Sequence, residues 1–290
     1  RVPQLASRLH ADVRQLHTNR YRNPASLPAG GVLVVGASAS GVQIAAELRH
    51  AGREVVLAVG SHTRLPRRYR GMDIMWWLEQ IGALDRTVDE ARDARRARQE
   101  PSAQLIGGAG VPELSLSRLR NLGVVVTGRL ADLDRHRARF HDDLRLTTAT
   151  AEERLRRTLR TIDQYVAASG LADEVLPAAD PARVVLSGGP RSLDLRSAGI
   201  STVVWATGFR SVYPWLRVPV ADSHGELRQY RGITPARGLY VIGLRYMHLR
   251  KSQFIDGARH DAQTIVEHLV GAGRSRPASA RAAVTTDGEP

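Results

Sequence analysis

Four apolar residues, Val32-Leu33-Val34-Val35, run directly into Gly36-Ala37-Ser38-Ala39-Ser40-Gly41, and no other feature restricts the fold of this chain as tightly. The apolar run is mostly β-branched, which fits a strand buried on both faces of a parallel sheet. Residues 42–50 then read as a helix with Gly41, Ala45 and Leu48 on one side, and Gly52 closes it. Residues 54–59 form the next apolar strand. Strand, tight turn, helix and second strand within about 30 residues make a βαβ crossover. The fold class that follows is α/β, a Rossmann-like parallel sheet with flanking helices.

The turn has a specific chemistry. Gly36 permits a sharp reversal, a small residue at Ser38 lets a pyrophosphate approach the backbone, and Gly41 allows close helix–strand packing. Exposed amides at the helix start face the phosphates with the helix dipole favouring negative charge, and Gly36, Ser38, Ala39, Ser40 and Gly41 are the expected cofactor contacts. The hydroxyls of Ser38 and Ser40 add donors. A dinucleotide is the expected ligand, because the strand before and the helix after supply the context that a lone glycine triad lacks. An NAD site places an acid at the end of the second strand, about 20 residues on, to hold the ribose 2′-hydroxyl. Here that strand ends in Val59-Gly60-Ser61, followed by His62, Arg64, Arg67 and Arg68. Without a carboxylate, and with guanidinium groups nearby, the pocket suits a 2′-phosphate, hence NADPH.

The bulk properties remove other classes. The net charge is +13, yet of 42 basic residues only Lys251 is lysine, and the arginines spread along the whole chain. No zinc-finger spacing or aromatic stacking ladder accompanies them, so nucleic acid is not the expected partner. Lys251 follows Arg250, which rules out a Walker loop, and Met247 stands where a short-chain dehydrogenase has tyrosine. Cysteine is absent, which excludes disulfides, thiolate metal sites and a redox dithiol, and fits a cytoplasmic protein. No stretch approaches the roughly 20 apolar residues of a membrane span.

Along the chain, residues 1–29 read as an arm broken by Pro3, Pro24 and Pro28. Residues 112–122 suggest a helix, 124–126 a strand and 138–146 a weaker strand. Thr150 and Glu153 have capping-box spacing and should open a helix whose Leu155, Leu159, Ile162 and Val166 share a face, closed by Gly170. Residues 184–186, 202–205 and 239–242 read as strands, 72–81 as a helix, and 252–268 as loop then helix. Residues 271–290 are small, polar and patternless, so a disordered tail is expected. Trp76 and Trp77 point about 100° apart on their helix, so core packing is expected and at most one faces a ligand. His136 and His141, like His260 and His268, lack helical metal-pair spacing, and no metal is expected.

The sequence resembles the flavin-containing monooxygenase-like branch of the FAD- and NAD(P)-dependent oxidoreductases. The matching pieces are Tyr21-Arg22-Asn23-Pro24, the Gly36–Gly41 turn, and Leu65-Pro66-Arg67-Arg68-Tyr69-Arg70-Gly71. Val204-Trp205-Ala206-Thr207-Gly208-Phe209, Tyr240-Val241-Ile242-Gly243 and Lys251-Ser252-Gln253-Phe254-Ile255-Asp256-Gly257 complete them. The resemblance implies that Ala206, Thr207 and Gly208 link an NADP domain to an FAD domain. It implies flavin contacts at Gly243 and Asp256. It implies NADP and FAD as cofactors, with hydride passing from NADPH to FAD and on to oxygen or a small-molecule substrate. Residues 30–208 would be the NADP domain and 209–270 the C-terminal portion of an FAD-type domain.

Two features depart from the family pattern. Its members carry an earlier fingerprint for FAD, so about the first third of the usual protein is expected to lie outside this sequence. The family signature ending at His17 has Ala11 and Val13 in place of its Phe and Gly, and Tyr21 rather than the Trp of a Baeyer–Villiger type. An alternative therefore stands beside the enzyme: a flavin-free NADPH-binding module whose partner supplies the FAD half.

Overall fold

The computed structural model describes residues 2–100, 103–105 and 114–274, and divides the chain into two compact units, residues 1–81 with 101–210 and residues 82–100 with 211–290. In the first unit, β1 (Arg14–His17), β2 (Gly31–Val35), β3 (Val55–Ala58), β6 (Val125–Thr127) and β10 (Ile200–Trp205) form one sheet in the order β1-β10-β2-β3-β6. All its pairings are parallel, as the β-branched run at β2 predicts. Residues 14–17, read from the sequence as part of an arm, are the edge strand; their backbone pairs with Thr202 to Trp205.

The side chains of β2 alternate between two layers. Val32 and Val34 pack with Val42, Ala45 and Leu48 of α1 (Ala39–His50) and with Leu116 and Leu119 of α4 (Leu116–Asn121). Leu33 and Val35 face the opposite side, where they meet Leu133, Ala138, Phe140 and Leu195. That second layer is not helical. It is an antiparallel sheet of β7 (Leu130–Asp134), β8 (Arg137–Phe140) and β9 (Ser192–Asp194). Helices flank one face and a β-meander the other, because both faces of β2 are apolar and each needs a cover.

A third cluster lies at α5 (Leu144–Ala168). Its Leu155, Leu159, Ile162 and Val166 are buried, as their spacing predicts, against Tyr69 and against Ile74 and Trp77 of α2 (Ile74–Gln80). Trp77 is the core residue, its indole Nε1 donating to the Tyr69 carbonyl at 2.7 Å, while Trp76 stays partly exposed. A two-stranded ribbon of β4 (Arg68–Tyr69) and β5 (Met72–Asp73) precedes α2.

Several boundaries shift for identifiable reasons. The long helix begins at Leu144 rather than Thr150, because Leu144 and Thr148 are buried and bring the preceding turns into the core. Thr150 instead donates its hydroxyl to the Leu146 carbonyl at 2.8 Å. Residues 138–146 are accordingly strand only to Phe140. Residues 184–186 have no strand partner: side chains of α5 take their amides, Glu152 that of Val184 and Thr148 that of Leu186. Residues 239–242 make a single bridge, Ile233 to Tyr240, in place of a strand. Residues 112 and 113 of the expected 112–122 helix lie outside the described residues, as do 275–290 of the expected tail, whereas 271–274 continue a helix.

The second unit contains α3 (Ala94–Arg98) and α6 (Ile255–Arg274). Tyr246 donates to the Thr87 carbonyl at 3.0 Å, and the Val88 amide donates to the His248 carbonyl at 2.7 Å, joining its two chain segments. Among the described residues no helix is long and apolar enough to cross a membrane. Asp261 of α6 is fully buried near His248, His260 and Ser252. Burial pushes its carboxyl above the usual range, with the Ser252 hydroxyl and the two histidines working the other way. The folded state then keeps a proton that the unfolded chain has already lost above about pH 4, so this group's contribution to stability falls as pH rises. Asp261→Asn is expected to raise the melting temperature at pH 8, with the gain shrinking toward pH 4; a variant less stable than wild type at pH 8 would contradict the assignment.

Candidate functional site

The direction of the chain reverses between β2 and β10. From β2 it runs through α1 to β3 and then to β6, all on one side, and later returns to lay β10 on the other side of β2. Open parallel sheets bind ligands at such a switch point, beyond the carboxyl ends of the strands. The residues there are Gly36 after β2, Ala206-Thr207-Gly208 after β10 and His17 at the end of β1. Segments 170 residues apart in the sequence thus meet at one edge.

Their contact explains the glycines. Gly36 has φ +109°, and a Cβ there would lie 2.4 Å from the Ala206 carbonyl oxygen. A Cβ on Gly41 would lie 1.8 Å from the Gly36 carbonyl oxygen and 3.3 Å from the Ala206 Cβ. The turn is anchored from both neighbours, the Gly36 amide donating to Ala58 at 2.9 Å and the Ala206 amide to Val35 at 2.8 Å. Helix α1 begins at Ala39 with Ser38 at its cap, and the Ser38 hydroxyl does not cap the helix. The first amide bonded back within the turn is that of Val42, to Ser38 at 3.2 Å, so those of Ala39, Ser40 and Gly41 sit at the helix mouth. This is the geometry of an anion cradle.

One support was missed from the sequence. Gln104 is buried, and its side-chain amide donates to the Ala37 carbonyl while its backbone amide donates to Thr63 at 2.8 Å. It braces the back of the turn from a segment 67 residues away, which no local pattern announces. His17, at the family signature position, donates from Nε2 to the Gly208 carbonyl at 2.9 Å and accepts the Asn19 amide on Nδ1. Its ring meets Phe209 edge-on at 4.9 Å, and Phe209 is 72% exposed.

The basic residues after β3 divide into two groups. Arg64 is buried, with Nη1 2.9 Å from Glu152 Oε2 and Nη2 donating to the Ala182 carbonyl at 3.0 Å. This pairing with a buried acid argues for a structural role in place of the 2′-phosphate contact expected of it. His62 is buried too and donates from Nδ1 to the Gly60 carbonyl at 3.0 Å. Burial pushes its imidazole below the usual range, the Gly60 hydrogen bond works the other way, and Arg154 and Arg64 push it further down. Arg67 is half-exposed and pairs with Asp73 at 2.8 Å, and Arg68 is exposed on β4. Arg154, which the sequence reading passed over, is exposed on α5 close enough to His62 to act on it. It lies two residues after Glu152, about 200° further round the helix, and no local pattern marks it.

Gly243 and Asp256 belong to the second unit. Gly243 is exposed with φ +77°. Asp256 sits in the first turn of α6, 3.3 Å from Lys251 Nζ and 3.3 Å from Arg259 Nε. Lys251 is buried, also pairs with Asp85 at 2.8 Å, and its carbonyl would be 2.0 Å from a Cβ on Gly257.

Comparison with known proteins agrees with this architecture. No protein-family model matches the chain. It is 28% identical over 271 residues to an uncharacterized oxidoreductase CzcO-like of Geobacillus kaustophilus, covering 93% of this chain and 61% of the relative. It is 26% identical over 274 residues to the uncharacterized oxidoreductase CzcO of Bacillus subtilis, again at 93% and 61%. The chain thus spans about three fifths of the length of the curated relatives it matches. A flavin-containing monooxygenase from Stenotrophomonas maltophilia shares its fold, with a TM-score of 0.53 at 14% identity over 94% of this chain and 59% of that one. The chain is similar to the oxidoreductase family that its motifs resemble.

Two outcomes test the site. Gly36→Val should remove NADPH binding measured by calorimetry, because the side chain collides with Ala206; unchanged affinity would dismiss the phosphate assignment. Arg68→Ala and Arg154→Ala should each weaken NADPH about tenfold and leave NADH nearly unchanged, from the roughly 1.5–3 kcal/mol of a hydrogen bond to a charged group. Arg64→Ala should instead lower stability by about 3 kcal/mol, the low end for a broken buried pair because Arg156 remains 2.9 Å from Glu152. Loss of cofactor selectivity in Arg64→Ala at unchanged melting temperature would reverse this division.

Proposed function

We propose that this chain is the NADPH-handling portion of an FAD- and NADPH-dependent oxidoreductase of monooxygenase type. The observation that carries the reading is the steric closure of Gly36 and Gly41 against Ala206 at the switch point, which leaves backbone room for a pyrophosphate and none for a side chain. The curated relatives carry oxidoreductase names, and the fold is that of a flavin-containing monooxygenase.

In this reading the amides of Ala39, Ser40 and Gly41 bind the pyrophosphate, and the Ser38 and Ser40 hydroxyls orient it. Arg68 and Arg154, with Arg67 behind them, hold the 2′-phosphate, and the absence of an acid at Val59-Gly60-Ser61 spares it repulsion. Gln104 keeps the Ala37 carbonyl turned away from the phosphates, so that the mouth of α1 presents donors only. His17 fixes the Ala206-Thr207-Gly208 turn by holding the Gly208 carbonyl. Gly243 and Asp256 are this chain's contribution to the flavin site. When bound, NADPH supplies the hydride and FAD the acceptor, so the protein's task is position and electrostatics rather than proton transfer by a side chain. The electrons go on to oxygen or a small-molecule substrate.

A second reading rests on one observation. The chain contains a single dinucleotide fingerprint, and that one is assigned to NADPH. A flavin-free module that binds NADPH and works with a separate FAD-binding partner would look the same. The visible spectrum of the purified chain, with FAD added, distinguishes the two. Flavin absorption that stays with the protein and bleaches on NADPH addition is the expected outcome. A protein that binds NADPH but stays colourless counts against flavin binding by this chain itself, and one that binds neither cofactor removes both readings.

A further inference from the structure

Far from the dinucleotide turn, the fold brings together three side chains that the sequence keeps apart. His10 and Asp12 lie in the loop before β1, and His136 lies in the turn between β7 and β8. His10 Nδ1 is 2.9 Å from Asp12 Oδ1, and His136 Nε2 is 2.7 Å from the same oxygen. The two imidazole rings lie side by side, with centroids 4.6 Å apart and planes tilted by 32°. One donor atom from each of the three residues lies within 4.8 Å of the other two.

We infer that His10, Asp12 and His136 form a binding site for a divalent transition metal of the zinc type. Ligands about 2.0–2.1 Å from a tetrahedral zinc ion lie about 3.3 Å from one another, so small rotations of the three side chains from their present spacing complete the geometry. Two imidazole nitrogens and one carboxylate suit zinc or cobalt, whereas magnesium and calcium require oxygen ligands. Three protein ligands leave a fourth position, and the exposure of His10 and Asp12, each about half, opens that position to water.

The backbone around the three residues is already tied. The His10 amide donates to the Arg135 carbonyl at 3.1 Å, and the Arg135 amide donates to Arg8 at 2.9 Å. Arg135 has φ +51°, a turn conformation that sets His136 beside the loop, and the His136 carbonyl accepts the Leu195 amide at 2.7 Å. The site is therefore organised before metal arrives. It lies before the first residue of β1, whereas His17 ends that strand, so it stands at the opposite edge of the parallel sheet from Gly36 and Gly208. A metal there staples the loop that leads into the edge strand to the β-meander. Its role is to hold the edge strand, not to take part in redox chemistry.

The test uses the whole chain, stripped with chelator and titrated with zinc chloride by calorimetry, with magnesium chloride as control. One zinc ion per chain and a higher melting temperature are expected with zinc only, and cobalt(II) should give the visible bands of a four-coordinate site. Asp12→Asn and His136→Gln should each abolish the thermal shift, while His141→Gln, an exposed histidine outside the cluster, should keep it. NADPH affinity should be unchanged in every variant that folds. If His136→Gln fails to fold, His10→Gln gives the same reading from the other segment. Zinc binding that survives in both Asp12→Asn and His10→Gln, or no zinc binding by the wild type, would overturn the assignment.

Discussion

The approach of Gly36 to the Ala206 carbonyl governs the C-terminal edge of the parallel sheet. Backbone occupies the space where side chains would normally stand, and this is possible because residues 36 and 41 lack a Cβ. The consequence is that α1 starts close against β2 and β10, and its free amides emerge where the two strands diverge. A bulkier residue at either position would push the helix mouth away from the switch point. In the proposed function, binding at this edge is a product of sterics first and of charge second.

Charge is deployed with similar economy. The chain is rich in arginine, and position in the fold separates those with structural work from those that face solvent. Arg64 and Arg156 both hold Glu152, and that carboxylate in turn takes the amide of Val184. A buried acid with two guanidinium partners and a backbone donor has its oxygens satisfied, which is what makes its burial tolerable. The network replaces a missing strand pairing at residues 184–186 and ties α5 to the segment that follows β3. Arg68 and Arg154, by contrast, are exposed.

Much of this was readable in advance, and the readable part has a common character. The strand at 31–35, the turn, the helix to His50 and the strand at 55–58 are local patterns of a few turns or residues; both strands were placed within a residue, and the helix begins at Ala39, three residues before its expected start. The buried face of α5 followed from its 3.6-residue period. What escaped was set by partners distant in the chain. Residues 14–17 became an edge strand because β10 offered an unpaired edge. Thr150 lost its cap role because the core extended under Leu144 and Thr148. Gln104 and Arg154 carry no local signal of the turn that one braces or of the His62 ring that the other approaches.

The sequence by itself determined the crossover, the glycines that it demands and the absence of an acid at the end of the second strand, because these depend on backbone sterics and on residue types within one short segment. Tertiary structure decided which arginines are buried and which are available, because a guanidinium is committed by whatever carboxylate the fold sets beside it. It likewise decided that His10, Asp12 and His136 share a single oxygen contact, since 124 residues of chain separate Asp12 from His136 and only the pairing of loop with hairpin closes that distance.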